Sequence, residues 1–256
     1  MNQSKNLQKS LLLVLLSFFI EIGVAQDRPT NSLNYTSKNG LSTNEVKCIF
    51  KDTRGYIWMG TTEGISRFNG YDFKVYSPLK DNPESISDNN IQAITEDNEG
   101  NLWIGTKNGL NKYDPVTEKF TRFYHNKKGN SISNNEVTAL VKDRLGNIWI
   151  GTEKGLNKYN TRTKKFLHFL PNSKGSSAIS AKAVLAITQA KNGNLWIGMW
   201  GGGVNEVNIE SNTISQFVNK KFLELGYSNN IWSLDTDNAG ALWIGTYDAG
   251  LYKFDP

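Results

Sequence analysis

The sequence predicts an all-β fold, a β-propeller built from four-stranded antiparallel blades. Three observations predict it: a unit containing Trp-x-Gly occurs five times, its period lies in the forties, and each unit holds several short strand patterns separated by turn residues. The tryptophans are spaced by 45, 46, 47 and 47 residues, a period typical of propellers. They are Trp58, Trp103, Trp149, Trp196 and Trp243.

The strands are clearest in the second unit, where the pattern predicts strands over residues 91–96, 102–106, 110–113 and 120–124. These segments are rich in Ile, Leu, Tyr, Phe and Thr, and turn residues bound each of them. They are too short for helices. The predicted leader (residues 1–25) precedes a propeller (26–256) whose units cover about residues 41–84, 85–130, 131–176, 177–226 and 227–256.

An Asp-x-x-Gly turn joins the first two strands of most units. Asp can bond its own backbone in a turn, and Gly accepts the positive φ of a tight hairpin. The turn aspartates are Asp52, Asp97, Asp143 and Asp237, and Ala190 replaces this residue in the fourth unit. A second glycine follows each tryptophan by two positions, as Gly60, Gly105, Gly151, Gly198 and Gly245.

Each repeated tryptophan is predicted to pack between adjacent blades, because an identical residue in every unit indicates a packing position rather than a binding one. Replacement by Ala at any of the five positions is then expected to be severe. The first strands share a small residue at one position, where Cys48 stands in the first unit. Cys48 is therefore predicted to be a small buried residue and not a reactive thiol.

The N-terminal segment over residues 32–40 resembles the end of a unit, whereas the fifth unit stops after its third predicted strand. A strand over 32–40 that completes the last blade would close the ring and remove its exposed edges. Five blades closing in this way is one interpretation, and a part of a larger propeller is the other.

Composition excludes several classes of protein. Two His and one Cys cannot supply a His/Cys zinc site or an internal disulfide framework, so no metal and no cofactor is predicted. The chain has 29 Lys+Arg against 24 Asp+Glu, and these basic residues are spread along it without a long run. Nucleic acid is therefore not an expected partner.

Residues 1–25 have the pattern of a signal peptide. Lys5 and Lys9 precede an apolar stretch from Leu11 to Ile20, and Gly23-Val24-Ala25 supplies small residues for cleavage. The apolar stretch is shorter than the roughly 20 residues that span a bilayer, which argues against a signal anchor. After the signal peptide the sequence contains no second long apolar run, so an exported chain without a membrane span is predicted.

The pattern D-x-x-G-x-[IL]-W-[IM]-G-T-x-x-G-[IL]-x-x-[FY], followed by S-I-S-x-N, resembles the two-component regulator propeller repeat. The resemblance covers about residues 33–256. It implies a seven-bladed periplasmic sensor propeller of a hybrid histidine kinase, with oligosaccharide ligands. It also implies downstream sensor modules, which this sequence does not contain, and a second copy of the chain as a homodimer partner. Within this resemblance the chain itself is not an enzyme.

Variable loops on a uniform scaffold are where specificity is expected. In a meander the hairpins between second and third strands and the connections between blades emerge at one end, here called the rim. The candidate ligand-binding residues on it are Trp200, Gly201, Gly202, Tyr247, Asp248, Trp232, Lys107, Asn108, Glu153 and Lys154. Aromatic faces suit a sugar, and the polar groups suit its hydroxyls. The alternative is that the aromatic residues fill packing gaps and the charged residues are solvated hairpin tips.

Two other functions compete with ligand sensing. The same rim could bind a protein, as an interaction scaffold. Propellers also include sialidases and lyases, but the arginines do not form a matching set, and His125 and His168 stand at different positions of their units. No catalytic residue is therefore assigned.

Overall fold

The computed structural model describes residues 32–171, 173, 175–217 and 229–255. The predicted signal peptide lies outside the described residues. The chain divides into residues 1–34, of which only 32–34 are described, and a compact unit over residues 35–256. No helix in the described ranges is long and apolar enough to cross a membrane.

The predicted all-β propeller architecture is confirmed. Five antiparallel sheets follow one another along the chain, each with its strands in sequence order. The first blade contains β1 (Val46–Lys51), β2 (Ile57–Thr61), β3 (Ile65–Phe68) and β4 (Phe73–Tyr76). The second contains β5 (Ile91–Glu96), β6 (Leu102–Thr106), β7 (Gly109–Asp114) and β8 (Lys119–Phe123).

The third blade contains β9 (Val137–Lys142), β10 (Ile148–Thr152), β11 (Gly155–Asn160) and β12 (Lys165–Phe169). The fourth contains β13 (Val184–Gln189), β14 (Leu195–Met199), β15 (Gly203–Asn208) and β16 (Thr213–Phe217). In the fifth, the described strands are β17 (Ile231–Thr236), β18 (Leu242–Thr246) and β19 (Leu251–Phe254). Adjacent blades contact each other through their first strands, which line the centre of the fold.

The strand expected over residues 32–40 is not formed. Among these residues, Ser37–Asn39 is a 3-10 turn and the others carry no regular structure. The ring of Tyr35 instead lies 4.9 Å from that of Phe68 and 5.7 Å from that of Phe73. Tyr35 therefore packs against aromatic residues of the first blade.

The hydrophobic core is divided among the interfaces between neighbouring blades. Four clusters of buried side chains occur, and each joins two consecutive blades. Trp103, for example, is fully buried, stacks on Phe123 of its own blade and lies 4.8 Å from the ring of Tyr159 in the next blade. Since a single blade cannot bury its own faces, each one depends on its neighbours.

In the first four blades, a serine of the preceding linker is hydrogen-bonded to the blade near its second hairpin. The Ser87 backbone N–H donates to Asn111 Oδ1 at 2.9 Å, and the Ser87 hydroxyl lies 3.1 Å from that of Thr106. Ser133 repeats both contacts in the third blade, with Asn157 and Thr152. The S-x-N element of the sequence is therefore a structural strap that fixes the position of the loops around it.

Candidate functional site

The rim is formed by the hairpins between second and third strands together with the linkers between blades. Backbone hydrogen bonds tie the two sets of loops together: Lys107 N–H donates to Asn90 O at 3.1 Å and Glu153 N–H to Glu136 O at 3.2 Å. In the fourth blade Trp200 N–H donates to Ala183 O at 3.0 Å. Side chains on these loops are therefore held on an ordered backbone.

A β-bulge at the start of the first strand gives each blade one further rim position. The register shifts between the first and third residues of the strand, so the second residue has no partner in the ladder. A bulge redirects the side chain of its extra residue. The five bulge residues are Lys47, Gln92, Thr138, Leu185 and Trp232.

The three candidate aromatic residues come together where the fourth and fifth blades meet. The ring centroid of Tyr247 lies 5.1 Å from that of Trp200 and 5.9 Å from that of Trp232. Trp200 is 43% exposed, Trp232 60% and Tyr247 64%. We call these three residues the aromatic patch. All three side chains are therefore accessible on the surface of the described structure.

The hairpin of the fourth blade, which carries Trp200, lacks the hairpin contact that the other blades share. In the other blades a Thr hydroxyl closes the hairpin, as Thr246 does to Gly250 O at 2.8 Å, but Met199 occupies this position in the fourth. The Gly201 N–H donates to Asn230 Oδ1 at 3.0 Å, and the Tyr247 N–H donates to Asn230 O at 3.0 Å. One linker residue therefore holds both hairpins of the aromatic patch.

Gly202 allows the hairpin to lie directly on the linker. A Cβ at this position would stand 2.5 Å from Ala181 Cβ, closer than real side chains approach. Asp248 is exposed beside Tyr247 and supplies a carboxylate next to the aromatic patch. The fourth-blade and fifth-blade members of the candidate set therefore occupy one surface.

The remaining candidates lie on the hairpins of the second and third blades. Asn108 Oδ1 accepts from the Asn135 side chain at 3.1 Å, and Lys107 lies beside it in sequence. Burial raises the pKa of the Glu153 carboxyl, and the charge of Glu136 raises it further. None of these residues contacts the aromatic patch in the described structure.

The structure also brings together two histidines that the sequence pattern kept apart. His125 Nδ1 lies 2.8 Å from Ile132 O, and His168 Nε2 lies 2.6 Å from Ser131 O. Both rings therefore hold the same linker between the second and third blades. They line a cleft of about 600 Å³ together with Lys154. The sequence did not reveal this arrangement, because the two histidines stand at different positions of their units. His125 follows β8, whereas His168 lies within β12.

The repeated aspartates and tryptophans lie at the Asp-x-x-Gly turns between first and second strands, at the end of each blade that is opposite to the rim. Asp97 Oδ2 accepts from Trp103 Nε1 at 3.0 Å, and Asp97 Oδ1 accepts from the N–H groups of Glu99 and Asn101 at 3.0 and 2.9 Å. Asp52, Asp143 and Asp237 make the same indole contact in their blades. These carboxylates are engaged in holding turns. Within the described ranges, no three His, Cys, Asp or Glu side chains are grouped as for a metal ion.

Four segments of the chain match the family model described as "Two component regulator propeller", over residues 40–63, 85–108, 131–154 and 178–201. Each segment runs from a linker through the first two strands of one blade into the hairpin that follows. Histidine kinase P4 of Formosa agariphila is 36% identical over 72 residues, which are 28% of this chain and 5% of the kinase.

Two solved structures place the fold among known propellers. The extracellular domain of the hybrid two component system BT3049 from B. thetaiotaomicron is 27% identical, with a TM-score of 0.75 over 87% of this chain and 30% of that one. Virginiamycin B lyase from Staphylococcus aureus is 14% identical, with a TM-score of 0.58 over 82% of this chain and 70% of the lyase. The second likeness concerns the fold alone.

Proposed function

The four matched segments are two component regulator propeller repeats, and from them we propose that this chain is the ligand-binding propeller of an exported, periplasmic sensor. Its ligand is an oligosaccharide, and its binding site includes the aromatic patch. The chain itself is non-catalytic in this proposal. A kinase elsewhere in the signalling system reads the ligand state, with downstream sensor modules and a second copy of the chain as partners.

The observation that carries the proposal is the exposed, ordered cluster of Trp200, Trp232 and Tyr247. The faces of sugar rings carry C–H groups that pack on aromatic rings, and their edges carry hydroxyls that need hydrogen-bond partners. Asp248 and the polar linker groups beside the patch supply such partners. The tilted rings form an angular surface that a bent oligosaccharide chain can follow.

Ligand binding here would act on the contact between two blades. Trp200 belongs to the fourth blade, whereas Trp232 and Tyr247 belong to the fifth. A ligand that spans these residues favours one relative position of the two blades, and a coupled module can respond to the shift in population.

Calorimetric titration tests the proposal. The chain is titrated with a panel of neutral and acidic oligosaccharides, and at least one is expected to give saturable heat. Trp200→Ala and Tyr247→Ala should each weaken that binding by about tenfold, the effect of losing roughly 1.4 kcal/mol of contact. Tyr71→Ala is the matched control, because Tyr71 is 90% exposed and lies outside the patch.

A panel that gives no heat would instead favour the second candidate, a protein-interaction scaffold. Exposed Trp and Tyr are also typical of protein contact sites, so the aromatic patch is the observation that keeps this candidate open. Binding that survives both patch substitutions would place the ligand elsewhere and contradict the proposed site.

A further inference from the structure

A cleft lined by basic side chains lies on the rim next to the aromatic patch. Its volume is about 600 Å³, and it is formed by the end of the second blade, the third blade and the linker to the fourth. Three lysines and two histidines line it, and none of its described lining residues is acidic. The basic residues are His125, Lys127, Lys154, His168 and Lys182.

The histidines give the cleft a fixed wall. A carbonyl oxygen can only accept, so His125 Nδ1 and His168 Nε2 must each carry a proton to bond Ile132 O and Ser131 O. Arg122 of the second blade holds the preceding linker in a similar way, because its Nε donates to Ser85 O at 2.6 Å. The linker between the second and third blades is therefore anchored at both sides, and the histidines are positioning residues.

The lysines are free to bind a ligand. Lys127, Lys154 and Lys182 are exposed, and none of them forms an ion pair with a described Asp or Glu. Elsewhere in the described ranges, basic residues such as Lys119 and Arg144 pair with carboxylates. Like charges held around one cleft repel each other unless an anion lies between them. Glu136 and Glu153 are near in sequence but do not line the cleft.

One residue of the cleft adjoins, in sequence, a residue that is hydrogen-bonded to the aromatic patch. Lys182 lines the cleft, and the next residue, Ala183, accepts the Trp200 N–H at 3.0 Å. An extended ligand seated on Trp200 would therefore reach Lys182 and then Lys154 of the third blade.

We propose that this cleft binds a sulfate ester or a carboxylate carried by the saccharide ligand, so that the ligand is an anionic oligosaccharide. The inference rests on the proposed function, because it takes the occupant of the aromatic patch to be a sugar. Charge-assisted hydrogen bonds from ammonium groups to sulfate or carboxylate oxygens are stronger than neutral ones. Salt screens such exposed contacts, so binding should also weaken with ionic strength.

Matched titrations test the inference, with Lys154→Gln, Lys182→Gln and the double variant as probes. Lys128→Gln is the control, because Lys128 is also exposed, follows the cleft residue Lys127 in sequence and does not line the cleft. The titrants are a uronate oligosaccharide, a sulfated oligosaccharide and their neutral counterparts. Each cleft substitution should weaken binding of an acidic oligosaccharide by about tenfold, and the control should leave it unchanged.

The outcomes separate this inference from the proposed function. Whichever acidic oligosaccharide binds identifies the anionic group as sulfate or carboxylate. Neutral oligosaccharides that bind as tightly as acidic ones, and lose affinity on Trp200→Ala but not on Lys154→Gln, would overturn the cleft and leave the sensing proposal standing. Equal losses in the Lys128→Gln control, or equal binding of a poly-glutamate peptide, would also overturn it.

Discussion

Each repeated aspartate acts as a clamp between a turn and a tryptophan. In the third blade Asp143 Oδ2 accepts from Trp149 Nε1 at 2.7 Å, while Asp143 Oδ1 accepts from the N–H groups of Leu145 and Asn147 at 2.9 and 2.8 Å. Asp143 is only 2% exposed, so these hydrogen bonds satisfy a buried carboxylate. Aspartate and tryptophan therefore occur together because the indole N–H and the buried carboxylate satisfy each other's hydrogen bonding.

The tryptophans differ in how much they stabilise the fold. Trp103→Ala should lower the free energy of unfolding by about 3–5 kcal/mol, because its buried ring contacts two blades. Trp243→Ala should cost clearly less, since Trp243 is 36% exposed and the described part of the chain places no following blade against it. The expectation that replacement is severe at every one of the five positions is therefore refined: the loss should be smallest at Trp243. Urea unfolding of both variants measures the difference, and equal losses would contradict it.

The fourth blade has lost both charged partners of its tryptophan. Ala190 stands in place of the turn aspartate, and among the described residues Trp196 Nε1 has no acceptor. Across the strand pair, Trp196 faces Glu206. The other blades place a cation opposite their tryptophan: Arg67, Lys112, Lys158 and Lys253. The fourth blade thus carries a carboxylate on the third strand and none in the turn.

A double-mutant cycle tests this exchange. Ala190→Asp should restore the indole hydrogen bond and stabilise the chain by about 1–2 kcal/mol in the presence of Glu206→Lys. Alone, it should stabilise less, because the new carboxylate would lie near Glu206. Thermal or urea unfolding of the four proteins gives the coupling energy. Additive effects would show that the two positions do not interact.

At the scale of the element, the second strand of an inner blade carries a glycine where the first strand of the next blade packs against it. A Cβ on Gly105 would stand 2.5 Å from Val137 Cγ1, and one on Gly151 would stand 2.8 Å from Val184 Cγ1. The first residue of the next blade's first strand therefore packs directly against the glycine backbone of the second strand. The small residues of the first strands pair across from the same glycines, as Ala93 does with Gly105.

Gly105→Ala should therefore destabilise the chain by about 1–3 kcal/mol through overpacking. The added Val137→Ala should recover part of this loss, because it removes the methyl groups that clash. Gly55→Ala is the control: Gly55 has a φ of 92° but no atom within 4 Å of the added Cβ, so it should show only local backbone strain of about 1 kcal/mol. A Gly105→Ala loss that Val137→Ala does not reduce would refute the steric explanation.

The strands of the repeated unit were predictable from the sequence, whereas the bulges and the conformation of residues 32–40 were not. The pattern predicted residues 91–96 and 102–106 as strands, and β5 and β6 have these bounds. The bulges were missed because their residues differ in type and none is a glycine. The strand expected over residues 32–40 is not formed, because the resemblance of this segment to the end of a unit does not encode the aromatic contact of Tyr35 with the first blade.

The three residues of the aromatic patch were predicted from the sequence as rim residues, and Trp232 among them lies in a first strand and not on a hairpin. Trp200 and Tyr247 stand on the two hairpins that are one residue longer than the others, and the structure brings their rings together. The cleft was not predictable, because His125 and His168 meet only through the path of the linker between their blades.

At the scale of the whole molecule, stability is a sum over interfaces between consecutive blades. The inner blades are covered on both faces: Ile91, Val137 and Val184 at the start of their first strands are fully buried. Val46, at the same position of the first blade, is 37% exposed. The first blade is therefore expected to open at lower cost than the inner ones.

The single cysteine can report this opening. Cys48 lies in β1, and burial raises the pKa of its thiol to about 11. A raised pKa leaves little thiolate at neutral pH, so alkylation of the native chain should be at least about tenfold slower than that of the urea-unfolded chain. If β1 opens before the rest, low urea should speed labelling before the tryptophan fluorescence changes. Native labelling as fast as in the unfolded chain would contradict the burial of the thiol.

Each first strand begins with a bulge whose extra residue takes no part in strand pairing. Its amino acid can therefore vary while the neighbouring residues stay paired. Charged, amide, hydroxyl, aliphatic and indole side chains all occupy this position in a single molecule, as Lys47, Gln92, Thr138, Leu185 and Trp232, while the neighbouring pairs keep their register. The same backbone thus tolerates five chemistries at no cost in pairing. Randomising these codons together should yield a library of folded variants that differ in what they recognise, which makes the scaffold a starting point for engineered receptors.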